Sequence, residues 1–236
     1  MAVKEAMAEA HLQGSGLLSI DGDTDLLIAL WNGEKHRSIY IRNQFARNVE
    51  KSLISKCTNI GQYIFVGSRH KSVRRVATTL ARSGNAELLG FNPSYSVYEY
   101  TARELSFFLQ RAQVTVVNED ECAHICKLLR LRTTEELARF VKGILIVTRG
   151  HQGLSLYKQS LVTEVGSMAR RPVFSLGAGD ALLAGFLHMF LTGASLEDSA
   201  RFGASMAGLV VESRAIRATI SVRQVKRRLT SYPFLN

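Results

Sequence analysis

Proline and cysteine are both scarce in this chain, three of each in 236 residues, and tryptophan occurs once. With 46% hydrophobic residues and so little proline, the composition excludes a disordered or proline-rich chain and points to an ordered globular protein. Three cysteines in a chain of this length cannot build a disulfide framework, so a reducing compartment is expected, with the cytoplasm as the default. Cys122-Ala-His-Ile-Cys126 lacks a fourth ligand and a second knuckle, and it lies in a stretch that reads as helix, so a structural role is expected for it. No apolar run has the length of a membrane span. The longest, Ala181 to Leu191, carries His188 and reads as a buried core helix. Glu5 and Glu9 interrupt the N-terminal stretch, which reads as an amphipathic helix and not as a secretory signal.

Acidic charge is also in short supply: 20 Asp and Glu against 30 Lys and Arg leave a net charge of +10. The cations cluster at Arg69 to Arg75, Lys127 to Arg132, Arg170-Arg171 and Arg223 to Arg228. Such a balance suits a protein that handles nucleotide triphosphates, and it equally suits one that lies on RNA. The clusters are scattered along the chain and aromatics do not interleave them, so nucleic acid is the less favoured partner.

What the chain does have is Ser175-Leu-Gly-Ala-Gly-Asp180, running at once into the apolar stretch Ala181 to Thr192. A small-residue turn that opens into a helix puts unpaired N–H groups at the positive end of the helix dipole, where they hold phosphate oxygens without a charged side chain. Asp180 falls in the first helical turn, placed to take a proton from a hydroxyl. An anion cradle beside a base is the minimum equipment for phosphoryl transfer to an alcohol. The same residues would equally make a tight turn with Asp180 as an ordinary cap.

Residues 1–13 suggest a helix. Leu26 to Trp31, Asn32-Gly33 and Ser38 to Ile41 read as a β-hairpin. Short strands follow at Gln62 to Gly67 and Glu87 to Phe91, the second punctuated by Asn92-Pro93, with a helix over Lys71 to Gly84 between them. Glu99 to Arg111 reads as helix, Val114 to Asn118 as a buried strand, Glu119 to Leu131 as helix, and Thr133-Thr-Glu-Glu as a capped helix start. Ile144 to Thr148 is another buried strand, and Leu154 to Val165 a hairpin. Strands with continuous Val, Ile and Leu runs, alternating with helices, argue a parallel sheet covered on both faces, with ligands at the carboxyl ends of its strands. One domain over 1–236 is expected, with no repeat, linker or low-complexity segment.

In order and spacing, four segments of this chain resemble the ribokinase-like (PfkB) family of sugar and nucleoside kinases: Asn118-x-x-Glu121, Val147-Thr-Arg-Gly150, the Gly177-Ala-Gly-Asp180 turn, and the small-residue stretch ending in Val210-Val-Glu212. The resemblance covers roughly residues 25 to 222 and is dense from Val114 onward. It looks closest to the archaeal-type nucleoside kinases. It implies a three-layer α/β/α fold with a mostly parallel sheet, and a small lid hairpin over 24–42 of the kind that often mediates pairing, hence an expected homodimer. It implies ATP and Mg2+, and a nucleoside or sugar hydroxyl as the acceptor. Asp180 would be the base, and the amides of Gly177, Ala178 and Gly179 the anion hole. Asn118 and Glu121 would order magnesium through water, while Thr148, Gly150 and Gly153 lie near the phosphates and Ala215 lines the adenine pocket. Arg149 stands between a phosphate contact and plain solvation, the second being preferred.

The chain departs from the family pattern in several places. Phe174 stands where the family has an Asp that helps to bind a monovalent cation, so potassium activation is doubtful. Asn92-Pro93 replaces Asp-Pro, and Ser213 to Arg217 replaces a glycine-bearing turn. There is no Gly-Gly pair, and the hairpin is reached by Leu26, so a domain shortened at its front is expected. These departures carry the alternative: a catalytically impaired relative serving as a protein- or RNA-binding scaffold.

Overall fold

A computed structural model describes residues 26–31, 36–41, 63–67, 71–83, 88–213 and 220–232. The expected helix at 1–13 and Ala215 lie outside the described residues. The described elements fall into two compact units. One holds strands β1 (Leu26–Trp31) and β2 (His36–Ile41) and helix α1 (Lys71–Ser83). The strands β1 and β2 pair antiparallel from Leu26↔Ile41 to Trp31↔His36, as the Asn-Gly step suggests, although β2 begins two residues earlier than expected.

The second unit carries a six-stranded sheet in sequence order: β3 (Tyr63–Val66), β4 (Leu88–Phe91), β5 (Val114–Asn118), β6 (Ile144–Thr148), β7 (Leu154–Lys158) and β8 (Leu161–Val165). The pairs from β3 to β6 are parallel; β6–β7 and β7–β8 are antiparallel. The parallel pattern stops there because only residues 149–153 separate β6 from β7, too few for a crossover. Alternate side chains of the sheet go to opposite faces. Leu88, Val114, Val116, Ile144, Ile146, Leu154 and Leu156 share one core with Leu182 and Phe186 of α5 (Ala178–Phe190) and Ala200 and Ala204 of α6 (Leu196–Glu212). The other face carries α2 (Ala102–Leu109), α3 (Glu119–Leu129) and α4 (Thr134–Phe140); there Phe91 of β4 stacks on Phe108 at 5.3 Å. The sheet is thus sandwiched, three layers deep. The last described helix, α7 (Val222–Thr230), packs on α6 through the buried Val225.

Two local differences from the sequence reading have plain causes. The helix expected from Glu99 starts only at Ala102, because Thr101 and Glu104 form a capping box there and Ser94–Glu99 winds as a separate 3-10 turn. The small residues of α5 and α6 serve contact: a Cβ on Gly203 would lie 2.6 Å from the Leu182 carbonyl oxygen, and one on Gly185 2.9 Å from the Gly203 Cα. No helix of the described residues is long and apolar enough to cross a membrane.

Candidate active site

Six α-helices have a described N-terminus, and five of them carry a side-chain cap. Thr101, Asn118, Thr133, Ser195 and Ser221 each accept a hydrogen bond from the backbone N–H three residues on. Helix α5 is the exception. Its N-cap is Gly177, in the left-handed region at φ 83°, and no side chain bonds to its amides. The first intrahelical bond runs from the Ala181 N–H to the Gly177 carbonyl at 2.9 Å. The Ala178 N–H is turned to the Ser175 carbonyl at 3.2 Å, while those of Gly179 and Asp180 have no intrahelical acceptor.

This helix end opens on a cavity of about 430 Å3. Thr148, Gly150 and Gly153 line it from the β6–β7 side, Ala178, Gly179 and Leu182 from α5, and Ala204, Gly208 and Val211 from α6. The cavity wall formed by Ser167, Met168, Ala169 and Pro172 is one that sequence reasoning missed. Its only signal was Gly208: a Cβ there would lie 2.7 Å from the Met168 carbonyl, so the helix must be bare where the loop crosses it. Gly153 is equally constrained, at φ 94° with a hypothetical Cβ 2.0 Å from the Val165 carbonyl oxygen. The backbone thus comes close to the cavity on two sides without side chains in the way.

The structure therefore brings Thr148, Gly150, Gly153, Ala178 and Gly179 to one cavity, with Gly177 as the cap beside it. Asp180, in the first turn of α5, is exposed and does not line the cavity. Asn118 and Glu121 do not line it either. Asn118 sits beside Thr148, its register partner, at the carboxyl ends of β5 and β6. It is locked to Glu121 in a reciprocal box: the Asn118 N–H and Nδ2 donate to the Glu121 carboxylate at 3.0 and 2.8 Å, and the Glu121 N–H returns a bond to Asn118 Oδ1 at 2.8 Å. Burial pushes the Glu121 carboxyl up, while the Asn118 N–H pulls it down. Arg149 neither floats in solvent nor faces the cavity; it pairs with Glu164, which also accepts from Ser155 Oγ at 3.1 Å.

Cys122 and Cys126 pack the buried side of α3 near the start of α4, at 3.6 Å from Thr134 Oγ1 and the Thr133 carbonyl. Burial drives the Cys126 thiol up to about 12 and the Cys122 thiol up as well, so both stay protonated and are not nucleophiles. Among the described residues no group of three His, Cys, Asp or Glu could cage a metal.

The loop over the cavity is pinned by a clasp that the sequence did not reveal. Arg228 of α7 donates to both oxygens of Glu212 at 2.8 and 2.6 Å and to the Met168 carbonyl at 2.7 Å. The N–H groups of Arg170 and Arg171 donate to the same Glu212. The Arg228 guanidinium, with those amides, holds the Glu212 carboxyl at about 2, against an ordinary 4.5. A depressed acid stabilises the fold fully above its unfolded value and loses that contribution as pH falls toward the folded one. The stability difference between the natural chain and a Glu212→Gln variant should therefore be full at pH 6 and shrink between pH 4.5 and about 2, read as the gap between two urea midpoints.

The pfkB family carbohydrate kinase profile matches residues 8–222. A nucleoside kinase of Methanothermobacter thermautotrophicus is 25% identical over 134 residues, which are 57% of this chain and 43% of that protein. The chain thus spans less than half the length of that curated relative. Among solved structures, a Burkholderia thailandensis nucleoside kinase in complex with inosine superposes with a TM-score of 0.83 at 17% identity, over 97% of this chain and 75% of the other. A Xylella fastidiosa fructokinase with bound ATP gives 0.76 at 18% identity, over 96% and 80%. At these identities the likeness is one of fold.

Proposed function

The chain belongs to the pfkB family of carbohydrate kinases, and on that premise we propose that it transfers the γ-phosphoryl group of ATP to a hydroxyl of a nucleoside or sugar. One observation carries the reading: α5 alone among the α-helices with described caps lacks a side-chain cap, and its N-terminus sits at the mouth of a cavity large enough for a nucleotide. The nucleoside kinases among its relatives, one with inosine bound, favour a nucleoside acceptor.

In this mechanism Asp180 takes the acceptor's proton as its oxygen attacks the γ-phosphorus and the bond to the ADP oxygen breaks. The amides of Gly177, Ala178 and Gly179 meet the charge that develops on the equatorial oxygens. A donor of that kind is worth about 3 kcal/mol in the transition state. The Ala178 contact to Ser175, at 3.2 Å, is at the long end for a hydrogen bond, and a charged acceptor competes well for it. Thr148, Gly150 and Gly153 let the backbone approach the phosphates, and the apolar wall of Met168 and Val211 receives the base.

The donor chemistry fits magnesium as a hydrated ion: Glu121 keeps lone pairs beyond those its cap uses, and no protein cage is present among the described residues. Asn118 and Glu121 would hold that ion through its waters, where it would offset the charge of the phosphates. Pairing through the β1–β2 hairpin belongs to the same proposal.

The test is a panel of ribonucleosides and pentoses incubated with ATP and magnesium. Acceptor-dependent ADP release, with the monophosphate seen by mass spectrometry, is the expected result. A panel silent throughout, in protein that still binds its nucleotide, would leave the scaffold reading in its place.

A further inference from the structure

The chain after Glu212 contains no acidic residue. Residues 213–236 carry Arg214, Arg217, Arg223, Lys226, Arg227 and Arg228, six of the cations behind the net charge of +10. Arg223, Lys226 and Arg227 are exposed on α7 and stand at i, i+3 and i+4, one face of the helix, neighbours at about 5–6 Å between Cβ atoms.

The fold extends this face with a second cluster from far away in the sequence. Arg170 Nη2 donates to Ser231 Oγ at 2.6 Å, and its guanidinium lies 5.4 Å from the Tyr232 ring centre. Arg171 follows, exposed, with its N–H on Glu212. The acid within this neighbourhood, Glu212, is already taken by Arg228 and by the two loop amides. Two basic clusters that are separate in the chain are thus clasped into one surface, with an aromatic ring at its edge.

We propose that this surface, made of Arg170, Arg171, Arg223, Lys226 and Arg227, docks the phosphate backbone of a nucleic-acid strand. Charge complementarity selects a polyanion: five cations on a scaffold held by hydrogen bonds, with no free carboxylate on the helix that carries three of them. The helix exposes one larger apolar residue, Val222, which is too little to insert into a lipid surface. Binding rests on counterion release, so it is sequence-independent and steeply salt-dependent. The loop that carries Arg170 and Arg171 also lines the nucleotide cavity at Ala169 and Pro172, so an occupied patch bears on that cavity's wall.

The experiment is fluorescence anisotropy of a labelled 20-nucleotide oligouridylate with the full chain, between 50 and 200 mM salt. Five phosphate contacts predict a slope of about −3.5 in log K against log salt, roughly a 100-fold loss across that range. The Arg223→Gln, Lys226→Gln, Arg227→Gln triple variant should weaken binding at least about 10-fold and reduce the slope by about 2. Its circular dichroism and melting midpoint should be unchanged, since all three side chains are exposed. A second triple, Lys127→Gln, Arg132→Gln, Lys142→Gln, removes equal charge from exposed positions on the other side of the sheet and should leave affinity within about 2-fold. Equal loss in both triples, no binding at 50 mM salt, or binding only to phosphatidylserine vesicles would each overturn the proposal.

Discussion

Replacing Asp180 by Asn should lower turnover about 1000-fold while the protein stays folded. A positioned base contributes about 100- to 10,000-fold, and the amide is close to isosteric but cannot take a proton. The structural cost is small because the Asp180 side chain is exposed and makes no hydrogen bond or ion pair among the described residues. What the substitution removes is a negative charge near a helix N-terminus, worth about 0.3–1 kcal/mol, which moves the melting midpoint by only a few degrees. KM for ATP should stay within about 3-fold, since the α5 amides proposed to hold the phosphates are untouched. Turnover retained within about 3-fold would remove Asp180 from the reaction. A collapse of the melting transition would instead make it a structural cap.

The largest stability effect is expected at Gly203. A side chain there meets backbone, the Leu182 carbonyl oxygen at 2.6 Å and the Phe186 nitrogen at 3.1 Å, and backbone cannot step aside as a rotamer can. Gly203→Val should cost about 3 kcal/mol or more, at the upper end of overpacking penalties and a large share of the 5–15 kcal/mol that holds a typical domain together. A urea melt measures it. The damage would also reach the cavity, because Leu182 lines it and lies one turn from Gly179. Gly179 is the contrast: nothing lies within 4 Å of a Cβ built there, so Gly179→Ala should leave the urea midpoint almost unmoved. A Gly203→Val protein as stable as the natural chain would mean that α5 and α6 do not cross this closely.

Much of this architecture could be read from residue types alone, because the relevant forces are local. Buried strands announce themselves as runs such as Val114 to Val117 and Ile144 to Val147. Thr133-Thr-Glu-Glu reads as a capped helix start, and Thr133 does cap α4. Gly-Ala-Gly-Asp reads as a turn into a helix, because only glycine takes φ 83° without strain.

The rest depended on which distant segments meet. Nothing around Arg149 indicates Glu164 as its partner; the β7–β8 hairpin has to fold back to put them together. The basic clusters at 170–171 and 223–228 look like separate solvated stretches until the Glu212 clasp and the Arg170–Ser231 bond join them. The cavity wall at Met168 to Pro172 is likewise invisible in one dimension, because it exists only where that loop crosses α6. Residue order by itself determined most of the elements and the glycine turn that opens α5, since each depends on backbone preference and on periodicity within a few positions. The tertiary structure alone decided which charges neutralise one another and which remain to face a ligand, because electrostatic pairing depends on distance in space and is indifferent to separation along the chain.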